Sequence, residues 1–451
     1  MKAKTSILVP YGAAQLAAWA RPRNRITTPL PAGVTAPGIS VVIPSRSGKD
    51  LLAAQLPGIV GDLPPAAEVV VVDNGSDDGT EEWLRQAWPR VRIESSREPL
   101  SFADAVNRGL AAARYAHVCL LNNDMLLNPG FFQALLRAFD EVPDLFCATA
   151  QIRFPPGVRR EETGKAVMAQ DRPEDFPLRC DDPLPGEDLT CVLYGSGGCS
   201  LYDAAKLRAL GGVDRSYQPA YVEDLDLGFR AWQRGWPSVY VAGAGVEHRH
   251  RATTSRFYAQ AELERILEIN YLKFLARSVA APSTFRRLWK QAVERLRLRA
   301  PHDQAARHAL RHAAGIALQG GPSAESQIPE DEILALTSGS VWNFPGRKPA
   351  SRPRILFVAP SPLVLGEQLR RAAADHDPIL VTFTDVPQPP PSEVLESCVE
   401  TLLVRAGAIP SFRAALRQTV RKWRPQEAEL ESGSMAPFAA DCAPARVRLL
   451  S

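Results

Sequence analysis

Between residues 39 and 122, short apolar runs alternate with longer stretches of helical spacing, and this alternation constrains the fold more than any other feature of the chain. The runs are rich in β-branched residues and predict strands, whereas the stretches between them predict helices. A repeating strand–helix–strand order predicts an α/β fold with a mostly parallel sheet and helices on both of its faces. The predicted strands are 39–44, 68–73, 91–94 and 117–122, and the predicted helices are 49–60, 80–88 and 102–114.

The composition is that of an ordinary globular protein with more than one domain, since the chain has 451 residues, of which 45% are hydrophobic and 23% charged. A net charge of +3 is too small to predict nucleic acid as the main partner.

The seven cysteines include no C-x-x-C pair, so neither a disulfide framework nor a thiolate zinc site is indicated. There is no apolar run of the roughly 20 residues that a membrane span requires, and no apolar signal core. We therefore expect a soluble, cytoplasmic protein.

Polar residues follow three of the predicted strands, at 44–46, 73–75 and 122–124. In open α/β sheets, ligands bind beyond the carboxyl ends of the strands. The polar residues are therefore placed where a binding site is expected.

The segment V-V-D-N-G-S-D-D-G-T (71–80) has two interpretations. Asp73 or Asp78 could cap backbone N–H groups in a strand-to-helix turn, or Asp73 and Asn74 could meet the ribose and the base of a pyrimidine nucleotide. The sequence lacks G-x-G-x-x-G after the first strand and has no P-loop. A bound diphosphate would therefore need another source of positive charge, and a divalent cation would supply it.

Asp124 and His248 are the candidate metal ligands. Asp124 ends a hydrophobic strand, where its hard oxygen could bind Mg²⁺ or Mn²⁺, although a single Asp after a strand is more often a turn residue. His248 and His250 follow another strand, in the segment H-R-H. A neutral imidazole beside one carboxylate suits Mn²⁺ better than Mg²⁺.

Three carboxylates, Glu223, Asp224 and Asp226, lie at the start of a predicted helix at 223–234. Asp224 alone would be interpreted as a helix cap, because carboxylates are favoured at helix N-termini. Together with the other polar strand ends it becomes a candidate general base for an attacking hydroxyl. Asp226 is turned by about 200° around the helix from Asp224 and is expected to be structural.

The ordered motifs V-V-I-P-S, V-V-D-N-G-S-D-D-G-T, N-R-G-L-A-A-A-R, L-L-N-N-D, G-G-V-D, E-D-L-D-L-G-F-R and H-R-H resemble those of glycosyltransferase family 2 over about residues 38–278. The resemblance is strongest to its bacterial rhamnosyltransferase-like members. It implies a GT-A fold (a nucleotide-diphospho-sugar transferase fold), a nucleotide-sugar donor, Mn²⁺ or Mg²⁺, and inversion at the transferred sugar. It also implies a glycan or glycolipid acceptor in cell-surface polysaccharide synthesis.

The resemblance assigns roles residue by residue. Asp224 would be the base, with Glu223 supporting it toward the acceptor. Asp124 would hold the metal, and His248 would complete the shell of the metal or of the diphosphate. The segment 195–199 would bring backbone close to the sugars. Asn122 occupies the first position of the usual D-x-D metal turn, which predicts a weaker metal dependence. The nucleotide-sugar-binding residues would be Pro44, Ser45, Asp73, Asn74, Asn107 and Asn123.

The predicted divisions of the chain are an irregular lead-in (1–37), a GT-A domain (38–280), a basic amphipathic helical extension (281–319), a linker (320–352) and a partial α/β unit (353–451). The last unit resembles the opening of a GT-B N-terminal lobe, without the donor-binding second lobe. Residues 285–299 combine an apolar stripe with a basic face, which is typical either of a helix on the inner face of a membrane or of ordinary packing.

Two other function classes stay open on the sequence. A sugar nucleotidyltransferase has a similar nucleotide-binding sheet, and the segment P-S-R-S-G-K-D (44–50) is a weak match to its activation loop. A non-catalytic partner subunit is suggested by Asn122 and by the incomplete C-terminal unit.

Overall fold

The computed structural model describes residues 2–22, 35–155, 163–169, 172–249, 258–320, 326–431 and 433–450. Its helices are α1 (Lys2–Ala17), α2 (Lys49–Asp62), α3 (Thr80–Ala87), α4 (Phe102–Ala112), α5 (Phe131–Glu141), α6 (Ala204–Ala209), α7 (Glu223–Gln233), α8 (Gln260–Ser278), α9 (Pro282–Arg299), α10 (Gln304–Ala317), α11 (Glu330–Leu336), α12 (Gly366–Ala372), α13 (Ser392–Ser397) and α14 (Ile409–Trp423). Its strands are β1 (Ala36–Ser45), β2 (Ala67–Asn74), β3 (Arg92–Ser96), β4 (Tyr115–Leu121), β5 (Met125–Leu127), β6 (Cys147–Arg153), β7 (Ala166–Met168), β8 (Leu178–Cys180), β9 (Cys191–Val192), β10 (Cys199–Asp203), β11 (Ser238–His248), β12 (Val341–Pro345), β13 (Arg354–Ala359), β14 (Asp377–Thr384), β15 (Glu400–Arg405), β16 (Glu427–Glu431) and β17 (Arg446–Leu450).

The first sheet has nine strands in the order β3-β2-β1-β4-β10-β6-β11-β5, with β9 beside β11. Strands β3, β2, β1 and β4 are parallel, as the alternating pattern predicts. Strand β10 runs antiparallel between β4 and β6, and β11 is parallel to β6. Apolar clusters cover both faces of this sheet. The predicted mixed α/β fold with a mostly parallel central sheet is confirmed.

Helix α4 shows how the sequence sets local structure. Ser101 caps the helix by accepting a hydrogen bond from the backbone N–H of Asp104 at 3.1 Å. A Cβ at Gly109 would lie 2.2 Å from Cγ1 of Val42, so glycine allows the helix to approach the sheet closely. This approach fixes the position of Asn107, on the same helix.

The predicted irregular lead-in is wrong for residues 2–17, which form α1. The inner side of this helix carries small residues, Ala14 and Ala17, which allow close packing against α9 and α10. Trp289 of α9 donates its indole N–H to the carbonyl of Ala14 at 3.0 Å. The lead-in was mispredicted because its apolar residues surround the helix and show no single stripe. Residues 23–34 lie outside the described part.

The apolar stripe of α9 is buried, which decides between the two interpretations of residues 285–299. Phe285, Leu288, Trp289 and Leu296 all lie in the core that α9 shares with α1, α8 and α10. The stripe therefore packs inside the protein and does not face a membrane. Among the described residues, no helix is long and apolar enough to cross a bilayer.

The second sheet has six strands in the order β12-β15-β14-β13-β16-β17, all parallel except β12. The prediction of a linker at 320–352 is wrong for 330–336 and 341–345, which form α11 and β12. This sheet and its helices form a second unit, and Asn343 of β12 connects it to the first unit, which is built on the nine-stranded sheet. The side-chain amide of Asn343 donates to the carbonyl of Asp188 at 2.8 Å, and its backbone N–H donates to the hydroxyl of Thr190 at 3.0 Å. Glycine and proline near these residues mark turns and do not exclude short elements between them.

Candidate active site

The strand pairing of the first sheet brings Asp124 and His248 together. Strand β11 runs antiparallel to β5 with His248 opposite Met125, and the N–H of Arg249 donates to the carbonyl of Asp124 at 2.9 Å. The Nε2 atom of His248 lies 3.4 Å from Oδ2 of Asp124. Two residues that are 124 positions apart in sequence therefore meet at one strand end.

The Asp124 carboxylate is buried, and its Oδ1 has no hydrogen-bond partner in the described part of the chain. A buried carboxylate oxygen without a partner is costly unless a cation or a water completes its shell. A carboxylate beside an imidazole is a donor set that suits Mn²⁺. The described residues contain no group of three or more potential metal ligands, so a cation here would take the rest of its shell from substrate and water. The residues present fit such a cation. His250 of the H-R-H segment lies outside the described residues.

Gln55 supports the turn that carries Asp124, and sequence reasoning missed it. Its amide donates to the carbonyls of Asn122 and Met125 at 2.6 and 2.8 Å. Its only sequence signal is a polar residue on the otherwise apolar face of α2, where Leu51, Leu52 and Leu56 are buried.

The segment 195–199 joins the Asp124 turn to the N-terminus of α7. The N–H of Asn122 donates to the carbonyl of Gly198 at 2.8 Å, and the N–H of Gly197 donates to Oδ2 of Asp224 at 3.4 Å. A Cβ at Gly198 would lie 2.3 Å from Nδ2 of the Asn122 side chain. Glycine at 198 leaves room for the Asn122 side chain, and this backbone lies between the turn and the base candidate. Its predicted closeness to the sugars stays a prediction.

The three carboxylates of α7 have different surroundings. Asp224 is half-buried, and its Oδ1 accepts the N–H of Leu225 at 2.8 Å. Glu223 is buried, and one of its oxygens lacks a partner within the described residues. Burial, together with the charges of Asp224 and Asp226, raises the pKa of Glu223 well above its ordinary value. Burial therefore favours the neutral form of Glu223, next to the more accessible carboxylate of Asp224.

Asp226 is structural, as its position on the helix predicts. It is fully buried and accepts the Nε–H of Arg230 at 2.7 Å and the hydroxyl of Tyr217 at 3.0 Å. Arg230 also donates to the carbonyls of Leu210 and Gly212. This network fixes α7 to the G-G-V-D turn.

The backbone immediately before α7 is strained. Tyr221 and Val222 have φ values of 71° and 77°, which are unfavourable for a bulky and a β-branched residue. The side-chain amide of Asn270 in α8 donates to the carbonyls of Tyr217, Ala220 and Tyr221 at 2.8, 2.9 and 3.1 Å. Asn270 thus fixes the backbone turn that leads into Glu223. No motif in the sequence marks Asn270.

On the nucleotide side, Ser45, Asn123 and Asp73 lie at neighbouring strand ends. The amide of Asn123 donates to the hydroxyl of Ser45 at 2.8 Å, and Pro44 is half-buried in β1, in register with Val72. Burial raises the pKa of Asp73, whose Oδ1 accepts the N–H of Ser76 at 3.3 Å. These residues are grouped as the sequence predicts.

The side-chain amides of Asn74 and Asn107 both bind the protein's own backbone, and the nucleotide-binding role expected of these residues stays a prediction. Asn74 exchanges hydrogen bonds with the N–H and the carbonyl of Leu100, at 2.5 and 3.0 Å. Asn107 does the same with Val213, at 2.9 and 2.8 Å. These hydrogen bonds hold the backbone at Leu100 and Val213 in place beside β2 and α4. Asp78 likewise caps α3, by accepting the N–H of Thr80 at 3.1 Å.

A sequence profile described as glycosyltransferase like family 2 matches residues 37–264, which is half of the chain. The chain belongs to glycosyltransferase family 2. The nine-stranded sheet is accordingly the GT-A fold of this family.

Two relatives show how far the similarity extends. This family 2 chain is 31% identical over 212 residues to an N-acetylglucosaminyl-diphospho-decaprenol L-rhamnosyltransferase of Mycobacterium tuberculosis, covering 42% of this chain and 68% of the relative. It is 27% identical over 258 residues to a validoxylamine A glucosyltransferase of Streptomyces hygroscopicus subsp. limoneus, covering 51% of this chain and 56% of the relative. The crystal structure of GalNAc-T7 with UDP, GalNAc and Mn²⁺ matches with a TM-score of 0.43 at 16% identity, over 58% of this chain and 53% of that one.

Proposed function

We propose that this family 2 glycosyltransferase inverts the sugar it transfers, with Asp224 as the general base. The observation that carries the proposal is the connection of Asp224 to the Asp124–His248 pair through the backbone of 197 and 198. A half-buried carboxylate next to a candidate cation site is the arrangement that an activated acceptor and a leaving diphosphate require.

In the proposed reaction, Asp224 accepts the proton of an acceptor hydroxyl as that oxygen attacks C1 of the sugar. The bond from oxygen to C1 forms while the bond from C1 to the diphosphate oxygen breaks, and the nucleoside diphosphate leaves with the electron pair. Attack from the side opposite the leaving group inverts the anomeric centre without a covalent intermediate. Neutral Glu223 adds no second negative charge beside the base.

Asp124 and His248 would hold a divalent cation, Mn²⁺ or Mg²⁺. When bound, such an ion supplies positive charge to the diphosphate of the donor. Ser45, Asp73 and Asn123 would line the nucleotide pocket, with Asn74 and Asn107 fixing the loops around it.

For the acceptor we propose a glycolipid of the polyprenyl-diphosphate-sugar class, on the cytoplasmic side of a membrane. The support is the name of the mycobacterial relative, whose acceptor is a diphospho-decaprenol sugar. Elongation of such an acceptor belongs to cell-surface polysaccharide synthesis. Membership of family 2 favours sugar transfer over the nucleotidyltransferase alternative.

The test compares Asp224→Asn with wild type. Transfer from a nucleotide-sugar panel should fall by about 10²–10⁴-fold, because the variant cannot accept the proton. Donor binding measured by calorimetry should persist. The matched control is Glu82→Gln, which removes a first-turn carboxylate of α3 and should leave transfer unchanged.

The configuration of the wild-type product, read by NMR, is the second part of the test. A product with retained configuration would contradict the proposed mechanism. A wild-type chain that binds no nucleotide sugar with Mn²⁺ or Mg²⁺ would instead indicate a non-catalytic subunit.

A further inference from the structure

The outer face of α1 is apolar, and no other residue that the structure describes covers it. We define this face as Leu8, Val9, Ala13 and Leu16, continued by Trp19 in the turn after the helix. Leu8, Val9, Leu16 and Trp19 are 54, 65, 75 and 74% exposed. From residue 8 to residue 20, every exposed position of the chain holds an apolar residue. Uncovered apolar surface of this extent is typical of an interaction site.

The helix behind this face is firmly attached. Besides the bond from Trp289 to Ala14, the guanidinium of Arg21 donates to the carbonyl of Val279 at 2.7 Å, at the end of α8. The same guanidinium lies 3.8 Å from the ring centroid of Phe285. The outer face is therefore presented by a docked helix of 16 residues, which is about 24 Å long.

Cationic side chains of α9 border the outer face. The guanidinium of Arg286 lies 4.4 Å from the ring centroid of Trp19. Lys290, one turn further along, is exposed, and it lines a cavity of about 470 Å³ with Arg172 and Arg287. Two other cations of that cavity are paired with acids, Arg287 with Asp331 and Arg295 with Glu268.

We propose that the outer face of α1 lies in the surface of an anionic membrane, with Arg286 and Lys290 among the lipid headgroups. Apolar side chains beside a cationic strip are the two components of interfacial helix binding. Trp19 adds an aromatic ring of the kind enriched at the membrane–water boundary. The inference extends the proposed function, since a glycolipid acceptor would be presented at this surface.

A membrane explains the charge better than a second copy of the chain does. In a two-fold contact, a residue at one edge of the face meets a different residue at the opposite edge of the other copy. Arg286 and Lys290 would therefore need acids there, and the exposed positions from residue 8 to residue 20 hold none. Anionic headgroups would neutralise them instead. Burial of the apolar face and neutralisation of Arg286 and Lys290 therefore both favour a membrane as the partner.

The experiment is co-sedimentation of the purified full chain with vesicles, without sugar nucleotide or acceptor. Vesicles of phosphatidylglycerol and phosphatidylcholine should bind wild type, and vesicles of phosphatidylcholine alone should bind it much less. The double variant Leu8→Gln/Leu16→Gln should weaken binding by at least about tenfold. Leu449→Gln, an exposed leucine on β17, is the matched control and should bind as wild type does.

A second variant tests the charge. Arg286→Gln/Lys290→Gln should also weaken binding to the anionic vesicles, and added salt should weaken binding of the wild type. Because all four positions are at the surface, thermal midpoints should match the wild type, which separates a binding defect from misfolding.

Three results would overturn the inference: no binding of wild type to anionic vesicles, equal binding of Leu8→Gln/Leu16→Gln and the control, or a wild-type dimer that this variant converts to a monomer. The last would identify the face as a contact between copies. Transfer to a short, water-soluble acceptor, assayed without vesicles, tests the proposed function separately.

Discussion

The two sheets of this chain have related doubly wound topologies but very different carboxyl edges. In the first sheet the edge carries Asp73 and Asp124, with Asp224 close by. In the second, β13 continues into P-S-P at 360–362, and β14 is followed by D-V-P-Q-P-P-P at 385–391, where the one acid, Asp385, is exposed. The comparison shows that the architecture supplies a place for a site, while the side chains at the edge supply the chemistry.

Buried carboxylates show the same contrast. Some are paired with cations: Asp226 lies 2.7 Å from Arg230 in the first unit, and in the second Asp377 lies 3.0 Å from Arg347, while both Glu332 and Asp441 contact Arg417, at 3.0 and 2.7 Å. In the first unit, Asp124 has only His248, and Glu223 has no salt bridge within the described residues. Acids paired with cations stabilise the structure, whereas Asp124 and Glu223 each have a buried oxygen without a hydrogen-bond partner among the described residues, which makes them candidates for a functional site.

Strand β2 repeats the contrast along its own length. At its amino end, burial alone would raise the pKa of Glu68, but hydrogen bonds from Arg92, Ser40 and Arg114 lower it. At its carboxyl end, burial raises the pKa of Asp73. One strand therefore has a structural acid at one end and a candidate ligand-binding acid at the other.

After Asp224→Asn, the largest expected effect comes from Asp124→Asn. We expect transfer to fall by about 10²–10³-fold, because the charge that would hold the cation is lost. Calorimetry of donor binding should lose its dependence on Mn²⁺. The thermal midpoint should not fall, since the carboxylate has no strong cationic partner to lose. Transfer and Mn²⁺ dependence equal to those of wild type would contradict the assignment of Asp124.

Asp377→Ala is the counterpart in the second unit. This carboxylate accepts the backbone N–H of Ala350 and pairs with Arg347, so its removal leaves buried donors without an acceptor. We expect a loss of about 3 kcal/mol in the free energy of unfolding, measured by urea denaturation. Turnover per folded molecule should match wild type. A drop in turnover without loss of stability would place catalytic function in the second unit.

Much of the first unit could be predicted from its sequence, because local signals and the global fold agree there. The strand runs and the polar residues after them point to one edge of one sheet, and Ser45, Asp73 and Asp124 lie at that edge. Asp226 could be assigned a structural role from helical geometry alone.

The rest depends on contacts that are distant in the chain. Whether an amide faces a ligand or the backbone is decided by what packs beside it, and the amides of Asn74 and Asn107 meet Leu100 and Val213. Asn270 lies in a long helix without a motif, yet it holds the turn before α7. No local pattern reports such pairings.

Asn270→Ala should have an intermediate effect. Without the side-chain amide, three carbonyls lose their donor, and the strained turn at Tyr221 and Val222 is free to relax. We expect kcat to fall by about tenfold, while the KM for the donor changes little, because the turn positions Asp224 and not the nucleotide. The matched control is Asn343→Ala, which removes a buried amide of the second unit and should leave kcat unchanged. A change in donor KM alone would contradict the positioning role.

Glu223→Gln should have the smallest effect, and it separates the two acids at the start of α7. The folded-state pKa of Glu223 lies above its unfolded value, so the stability present at low pH is lost as pH rises between those two values. Glutamine does not titrate. The variant should therefore match wild type at about pH 4 and melt about 2–4 °C higher at about pH 8 by calorimetry.

Transfer by Glu223→Gln should stay within about threefold of wild type at neutral pH, since the amide replaces an acid that is already uncharged. A loss comparable to that of Asp224→Asn, with no pH-dependent gain in stability, would show that Glu223 is ionised. The base would then be a pair of carboxylates. The contrast between an accessible charged acid and a buried neutral one would no longer describe this helix.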